Sequence, residues 1–275
     1  MKAIIVSATS GIGEELCKSW AKRGWQVFGT YRSHSSAAEK LEHEYGITLV
    51  PCDLASTISV QNACNQLKVI CGEWDILVFA AGSLDPISPF ETVDFEEWEE
   101  SLQVNFTQQL RILHSLLPVR NKKNQKSSVL FFAGGGTNNA VVNYSSYAIS
   151  KIALIKMCEF LDAEISDTHF SIVGPGWVKT KIHESTLKAG RERAGINFDT
   201  TRDRLEGTDW VLMDRVVECC TWIVTTASNG VKGRNFSVAH DHFGTRELEK
   251  ALENDPDMYK LRRNKNCWTP LQDKS

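Results

Sequence analysis

The stretch from Ser128 to Ile155 reads SVLFFAGGGTNNAVVNYSSYAISKIALI, and its order decides the fold: an apolar run, three glycines, then a helix. Val129-Leu130-Phe131-Phe132-Ala133 is a continuous run of β-branched and aromatic residues. Such a run fits a strand buried on both faces of a parallel sheet. Gly134-Gly135-Gly136 ends it, and after the polar turn Thr137-Asn138-Asn139 the segment Ser145 to Ile155 has helical composition, with serines suited to an N-cap. Tyr147 and Lys151 are four apart, so a helix places them on one face. A lysine cation beside a phenol favours the phenolate, which makes the tyrosine a usable proton donor and acceptor. An isolated Tyr-x-x-x-Lys is more often an ordinary exposed pair, so its weight depends on what surrounds it in the chain.

Working outward, the 275 residues are 42% hydrophobic and suffice for a sizeable core, as one large α/β domain or two small ones. The net charge of -3 argues against general nucleic-acid binding, since a polyanionic partner leaves a basic excess. No stretch approaches the roughly 18 apolar residues of a membrane span. Met1-Lys2 leads straight into Ala3-Ile4-Ile5-Val6 without a cleavage region, so a cytoplasmic protein without a membrane partner is expected. The eight cysteines are scattered with no C-x-x-C pair, which reads as core filling in a reducing compartment. His240-Asp241-His242 offers two histidines on one side of a strand end with no third ligand nearby, so no metal is expected.

Residues 3–6 form an apolar strand, followed by small residues from Ser7 to Gly13 and then Ile12, Leu16 and Trp20 at helical spacing. Strand, glycine turn and helix is the order that sets backbone N–H groups and a helix N-terminus under a pyrophosphate; a plain tight βα turn is the alternative. Trp25 to Arg32 reads as a second strand ending in a basic residue. An acidic residue at that place holds a ribose 2′-hydroxyl, whereas Arg suits a 2′-phosphate, so Arg32 favours NADP(H) over NAD(H); the bland reading is a surface arginine. Ile47-Thr48-Leu49-Val50 runs into Pro51-Cys52-Asp53-Leu54, with Asp53 a candidate adenine contact. A helix over 59–70 and the strand Asp75 to Phe79 lead to Ala80-Ala81-Gly82, small enough for a flat ligand to approach the backbone. Phe95 to Leu117 reads as one long helix with Asn105 among apolar neighbours, either a structural hydrogen bonder or part of a site.

His169 to Val173 is another strand and runs into Gly174-Pro175-Gly176-Trp177-Val178-Lys179-Thr180. Residues 181–210 are charged and poor in periodicity, which reads as a lid or binding loop. A helix over 211–225, a last strand over 233–238 and a charged tail follow, with a helix at Arg246 to Glu253 and basic Arg262, Arg263 and Lys265. About seven strands alternate with six or seven helices, the pattern of a Rossmann-type doubly wound parallel sheet with helices on both faces. With no linker between halves, residues 1–240 are taken as one nucleotide-binding domain containing the substrate loop 181–210, and 241–275 as its C-terminal helical extension.

In this order the chain resembles the short-chain dehydrogenase/reductase family from residue 1 to about residue 240. The family's T-G-x-x-x-G-x-G corresponds to Val6 to Gly13, with Ser7 in place of the first glycine, and N-N-A-G to Phe79 to Gly82, with both asparagines lost. Asn105, Tyr147 with Lys151, and P-G-x-V-x-T at Pro175, Gly176, Val178 and Thr180 all match. The resemblance implies a cofactor site made of Ser7, Thr9, Ser10, Gly11, Ile12, Gly13, Arg32, Asp53, Leu54, Ala80, Ala81, Gly82, Tyr147, Lys151, Pro175, Gly176, Val178 and Thr180, with the pyrophosphate over Gly11 to Gly13. It also implies that Val178 and Thr180 meet the nicotinamide, that Tyr147 protonates a carbonyl, and that Lys151 holds the ribose and lowers the tyrosine's pKa. Asn105 would fix a water that returns the proton through Lys151. A homodimer or homotetramer is implied as well.

One departure stands out. Relatives carry a serine just past the fifth strand, thirteen residues before the tyrosine, and here that position is Gly134. If the lost hydroxyl is the limiting defect, Gly134→Ser is expected to raise turnover. Three functions follow: an NADP(H)-dependent oxidoreductase acting on a small polar carbonyl or alcohol, possibly a sugar derivative; a catalytically impaired dinucleotide-binding sensor or scaffold, favoured by Gly134; and a sugar epimerase or dehydratase.

Overall fold

In the computed structural model, residues 1–123 and 127–263 are described. The expected basic residue Lys265 and the last cysteine, Cys267, lie outside them. Seven strands are β1 (Lys2–Val6), β2 (Gln26–Tyr31), β3 (Thr48–Pro51), β4 (Ile76–Phe79), β5 (Ser127–Phe132), β6 (Thr168–Gly174) and β7 (Arg234–Ser237). They form one parallel sheet in the order β3-β2-β1-β4-β5-β6-β7, the doubly wound arrangement that the alternation of elements predicts. The order reverses between β1 and β4, and in such sheets ligands bind past the carboxyl ends of the strands at that reversal.

Alternation along each strand divides the core in two. Ile4, Leu77, Phe79, Val129 and Phe131 point to one face. Ile5, Ile76, Val78, Leu130 and Phe132 point to the other. Phe79 and Phe131, opposite each other in the β4–β5 register, stack with centroids 4.9 Å apart. The first face is covered by α3 (Thr57–Cys71), α5 (Gln108–Leu116) and α6 (Ser145–Glu164). The second is covered by α1 (Gly11–Lys22), α2 (Ser36–Tyr45) and α9 (Met213–Thr225), with α10 (Arg246–Asn254) at its edge. Both faces being covered is why these strands are apolar throughout.

Three local expectations are corrected. Phe95 to Leu117 is not one α-helix: α4 (Phe95–Leu102) and α5 are joined by a π-helical turn over Gln103–Thr107. Residues 181–210 are not a bare loop but carry α7 (Glu184–Ala194) and α8 (Ile196–Glu206). These two helices lack apolar periodicity because few of their residues are buried, Thr186 and Ala194 in α7 and Thr201 in α8. Their exposed faces carry ion pairs, Lys188 to Glu184 and Arg202 to Asp199 within a helix and Arg191 to Asp199 between them at 2.6 Å. Gly190, at φ 73, kinks α7. Finally, the serines opening α6 do not cap it: Tyr144 is the N-cap residue without a side-chain bond, and Ser145 Oγ instead accepts the Trp98 indole N–H at 3.0 Å.

The tail is fastened by Arg234, which is 5% exposed. Its guanidinium donates to the carbonyls of Leu252, Asp255 and Met258, so β7 holds the end of α10 and the turn beyond it. Burial is the main influence on this side chain and lowers its pKa. Leaving the buried Leu252 carbonyl and the partly buried Asp255 and Met258 carbonyls without their shared donor, Arg234→Met is expected to cost about 2 kcal/mol of stability, measured by urea denaturation; an unchanged midpoint would remove Arg234 from this role.

Candidate functional site

The turn after β1 is tied to both neighbouring strands. Ser7 N–H donates to Thr30 Oγ1 at 2.9 Å, Ala8 N–H to the Thr30 carbonyl at 2.7 Å, and Ser10 Oγ to the Ala80 carbonyl at 3.2 Å. Thr9 completes the turn between them. Ser7 sits at φ 66, a left-handed value unusual for a residue with a side chain. At the start of α1, Ser10 Oγ accepts the Gly13 N–H and the Ser10 carbonyl accepts that of Glu14. That leaves the Gly11 and Ile12 N–H groups at the open helix end as donors for an anion. A Cβ on Gly13 would fall 2.4 Å from the Ser7 carbonyl, so glycine is required for the helix to start this close to the strand. The backbone therefore fits a pyrophosphate.

Asn105 is fully buried in the π-helical turn. Its Oδ1 accepts the Ser83 N–H at 2.9 Å, and its Nδ2 donates to the Ser83 carbonyl at 2.9 Å and to Ser101 Oγ at 3.2 Å. It thus clamps the segment that follows Gly82. Gln109 adds a side-chain donor at this turn: its Nε2 lies 3.1 Å from the Asn105 carbonyl, 3.3 Å from that of Val104 and 3.4 Å from that of Ala81. Gln109 was not foreseen. The only sequence signal for it is a polar side chain on the buried face of α5.

Lys151 is 2% exposed and donates from Nζ to the same Ala81 carbonyl at 3.3 Å. Nζ also lies 5.7 Å from the centre of the Tyr147 ring. A Cβ built on Gly82 would stand 3.7 Å from Lys151 Nζ and 3.9 Å from Asn105 Oδ1, so these groups converge at the end of β4. Tyr147 reaches the end of β5, its phenol against Gly134. The expected lowering of the tyrosine's pKa is not what the geometry gives. Burial pushes the Tyr147 phenol up to about 12 and the Lys151 ammonium down to about 8. Water exclusion penalises both charged forms, and a lysine that sheds its proton this readily has less charge to lend a phenolate.

The Pro175-Gly176 turn folds back across the glycine turn. Thr180 Cγ2 would lie 2.7 Å from a Cβ on Gly11, and Val178 is buried. Gly176 is at φ 75 beside Val211. Trp177 stacks on His183 with centroids 4.1 Å apart, and His183 Nε2 lies 2.9 Å from the Val178 carbonyl. Burial holds His183 below its ordinary value. Nothing in the sequence pattern singles out this pair.

Around Tyr147 the walls are apolar: Leu84, Ile87, Val141, Tyr144, Ile182 and Phe198 form a small cluster with it. The α7–α8 segment is fastened here by Tyr144 Oη donating to Thr186 Oγ1 at 2.9 Å, Asn143 Nδ2 to the Arg193 carbonyl at 2.7 Å, and Ser185 Oγ to Asp85 Oδ2 at 2.8 Å. Far from these, Arg32 stands exposed at the end of β2 with no ion pair among the described residues. Asp53 turns its carboxylate to the Ala55 N–H at 3.0 Å, beside the buried Leu54. Asp53 and Leu54 follow β3, on the opposite side of the glycine turn from Tyr147.

A family model described as short chain dehydrogenase matches residues 1–190. Among curated proteins, the chain is 25% identical over 226 residues to a serine 3-dehydrogenase of Agrobacterium fabrum, covering 81% of this chain and 87% of that one. It is 26% identical over 213 residues to the 3-oxoacyl-[acyl-carrier-protein] reductase of Escherichia coli, covering 74% and 84%. A short chain dehydrogenase/reductase from Saccharomyces cerevisiae superimposes with a TM-score of 0.77 at 22% identity, over 92% of this chain and 98% of that one. A short chain dehydrogenase from Burkholderia cenocepacia, solved in complex with NADP, does so with a TM-score of 0.72 at 20% identity, over 86% and 94%.

The Lys151 shift makes a prediction with a definite sign. The folded chain releases this proton near 8 and the unfolded chain near 10.5, so the unfolded chain binds more protons across that window and stability rises with pH through it. At pH 7 the buried cation is a net cost, and Lys151→Met is expected to raise the melting temperature by a few degrees, on the order of 1 kcal/mol, an advantage that shrinks toward pH 10. A variant less stable than the parent at pH 7 would contradict it.

Proposed function

The chain belongs to the short chain dehydrogenase family and is an oxidoreductase of that type; from this premise we propose that it interconverts a carbonyl and an alcohol with NADP(H), Tyr147 acting as general acid and base. The observation that carries the reading is the convergence of Asn105, Lys151 and Gly82 at the end of β4, beside Tyr147 at the end of β5. The donors Gly11 and Ile12, the close-packed Gly13 and the small residues Ala80 and Ala81 fit a dinucleotide along the same strand ends. The bound cofactor supplies or accepts the hydride.

Tyr147 Oη gives its proton to the substrate's oxygen in reduction and takes it back in oxidation. With its phenol pushed up to about 12, Tyr147 is protonated at neutral pH, the form that reduction needs, and the negative charge it would carry after donating is what the bound cofactor and Lys151 would have to offset. Lys151 Nζ, anchored on the Ala81 carbonyl, is placed to hold a ribose hydroxyl and pass a proton toward Tyr147. The water that refills the relay is assigned to the Asn105 carbonyl, which Gln109 Nε2 also reaches at 3.1 Å. Val178 and Thr180 border the nicotinamide end, and Asp53 with Leu54 the adenine end.

Arg32 supports NADP(H) over NAD(H), being exposed, with no ion pair among the described residues, at the strand end where a 2′-phosphate would lie. The NADP complex of the Burkholderia relative is consistent with this. For the substrate, the charge of residues 181–210 suggests a small polar compound such as a sugar derivative. Those charges pair with one another, and Lys179 and Arg204 lie over the Trp210 and Trp177 rings. The wall at Tyr147 is apolar, so the carbonyl compound we favour carries an apolar flank.

Residues 1–240 are proposed as the nucleotide-binding domain and the rest as its extension, in a homodimer or homotetramer. A cytoplasmic setting agrees with seven buried cysteines that are free among the described residues. No helix among the described residues is long and apolar enough to cross a membrane.

Tyr147→Phe is expected to lower kcat by about 10²- to 10⁴-fold while NADPH binding is kept; retained turnover would assign the acid elsewhere. Arg32→Ala is expected to weaken NADPH about 10- to 100-fold and leave NADH nearly unchanged, measured by nicotinamide fluorescence. Equal effects on both would sink the phosphate assignment.

A further inference from the structure

The three glycines after β5 are glycines for different reasons. A Cβ on Gly135 meets nothing within 4 Å. Gly136 has φ +98, a backbone conformation that side chains rarely adopt, and its Cβ would stand 3.0 Å from that of Ala148. Gly134 has no such backbone requirement, yet a Cβ there would fall 2.5 Å from Tyr147 Oη and 2.7 Å from both Cε1 and Cζ. Carbon atoms pack at about 3.5–4.0 Å, so a side chain at 134 and the phenol in this place are mutually exclusive by about 1 Å.

Resting on the reading of Tyr147 as the acid, we propose that Gly134 is a positioning residue: its bare Cα is the seat of the Tyr147 phenol. The position is therefore not a donor that was lost. The volume that a serine side chain would take is filled by the tyrosine itself, which brings the hydroxyl to the end of β5 without help from a second hydroxyl on that strand. Two further observations fit. The ring packs in the apolar cluster that includes Val141, Tyr144 and Ile182, and Lys151 Nζ lies 5.7 Å from its centre. A phenol driven off Gly134 would press on these side chains. The expectation that Gly134→Ser raises turnover is thereby reversed.

The test compares Gly134→Ala, Gly134→Ser and Gly135→Ala in the full chain, reading kcat and KM for a ketone and binding of NADPH. Both Gly134 variants are expected to lose on the order of 100-fold in kcat, as a misplacement of about 1 Å does, with NADPH binding kept. Gly135→Ala is expected to match the parent in all three. Independently of activity, Gly134→Ala should lower the melting temperature in the parent but not in a Tyr147→Ala background, since the two residues contend for one volume. A Gly134→Ser variant as active as the parent, or the same melting loss in both backgrounds, would overturn the proposal. If Tyr147→Phe keeps its turnover, the assignment of the acid falls while the melting comparison still decides whether Gly134 seats the ring.

Discussion

A parallel sheet covered on both faces has no surface to offer except the ends of its strands, and this constraint organises the molecule. The candidate site gathers where strands stop: the glycine turn after β1, Ala80 to Gly82 after β4, Gly134 after β5 and the Pro175-Gly176 turn after β6. These ends must come close together, so small residues are required there. The 2.4 Å approach of a Gly13 Cβ to the Ser7 carbonyl and the 2.5 Å approach of a Gly134 Cβ to the Tyr147 hydroxyl are two instances of one requirement.

The Ala81 carbonyl joins the pieces. It lies 3.3 Å from Lys151 Nζ on α6 and 3.4 Å from Gln109 Nε2 on α5, so one acceptor just past β4 ties two helices to the sheet. Asn105 in the π-helical turn faces Ser83, and Gln109 Nε2 reaches the Asn105 carbonyl from the next helix. Asn105 and Lys151 are thus held by backbone atoms rather than by opposite charges. Their surroundings are dry, and that dryness sets the opposed directions of the Tyr147 and Lys151 shifts.

The strands were legible because burial on both faces leaves continuous apolar runs, as at Ile76 to Phe79 and Val129 to Phe132. The glycine turn and the four-residue spacing of Tyr147 and Lys151 were legible because local geometry fixes them. What stayed hidden depends on distant packing. A π-helical turn inserts a residue without changing composition, so 95–117 reads as one helix. Helices α7 and α8 pack through a few residues such as Ala189, Ala194 and Phe198 and through contacts to residues far away in sequence, so no periodicity betrays them. The sign of the Tyr147 shift follows from burial, which spacing does not encode, and Gly134 reads as a loss until the ring that fills its place is seen.

The most direct test of the account is a titration of the purified chain with NADPH and, separately, NADH, followed by nicotinamide fluorescence. Saturable NADPH binding is expected, with NADH weaker by about 10-fold or more, as one charge-assisted phosphate contact requires. Equal affinity for the two would contradict the role of Arg32. No binding of either would contradict the site itself.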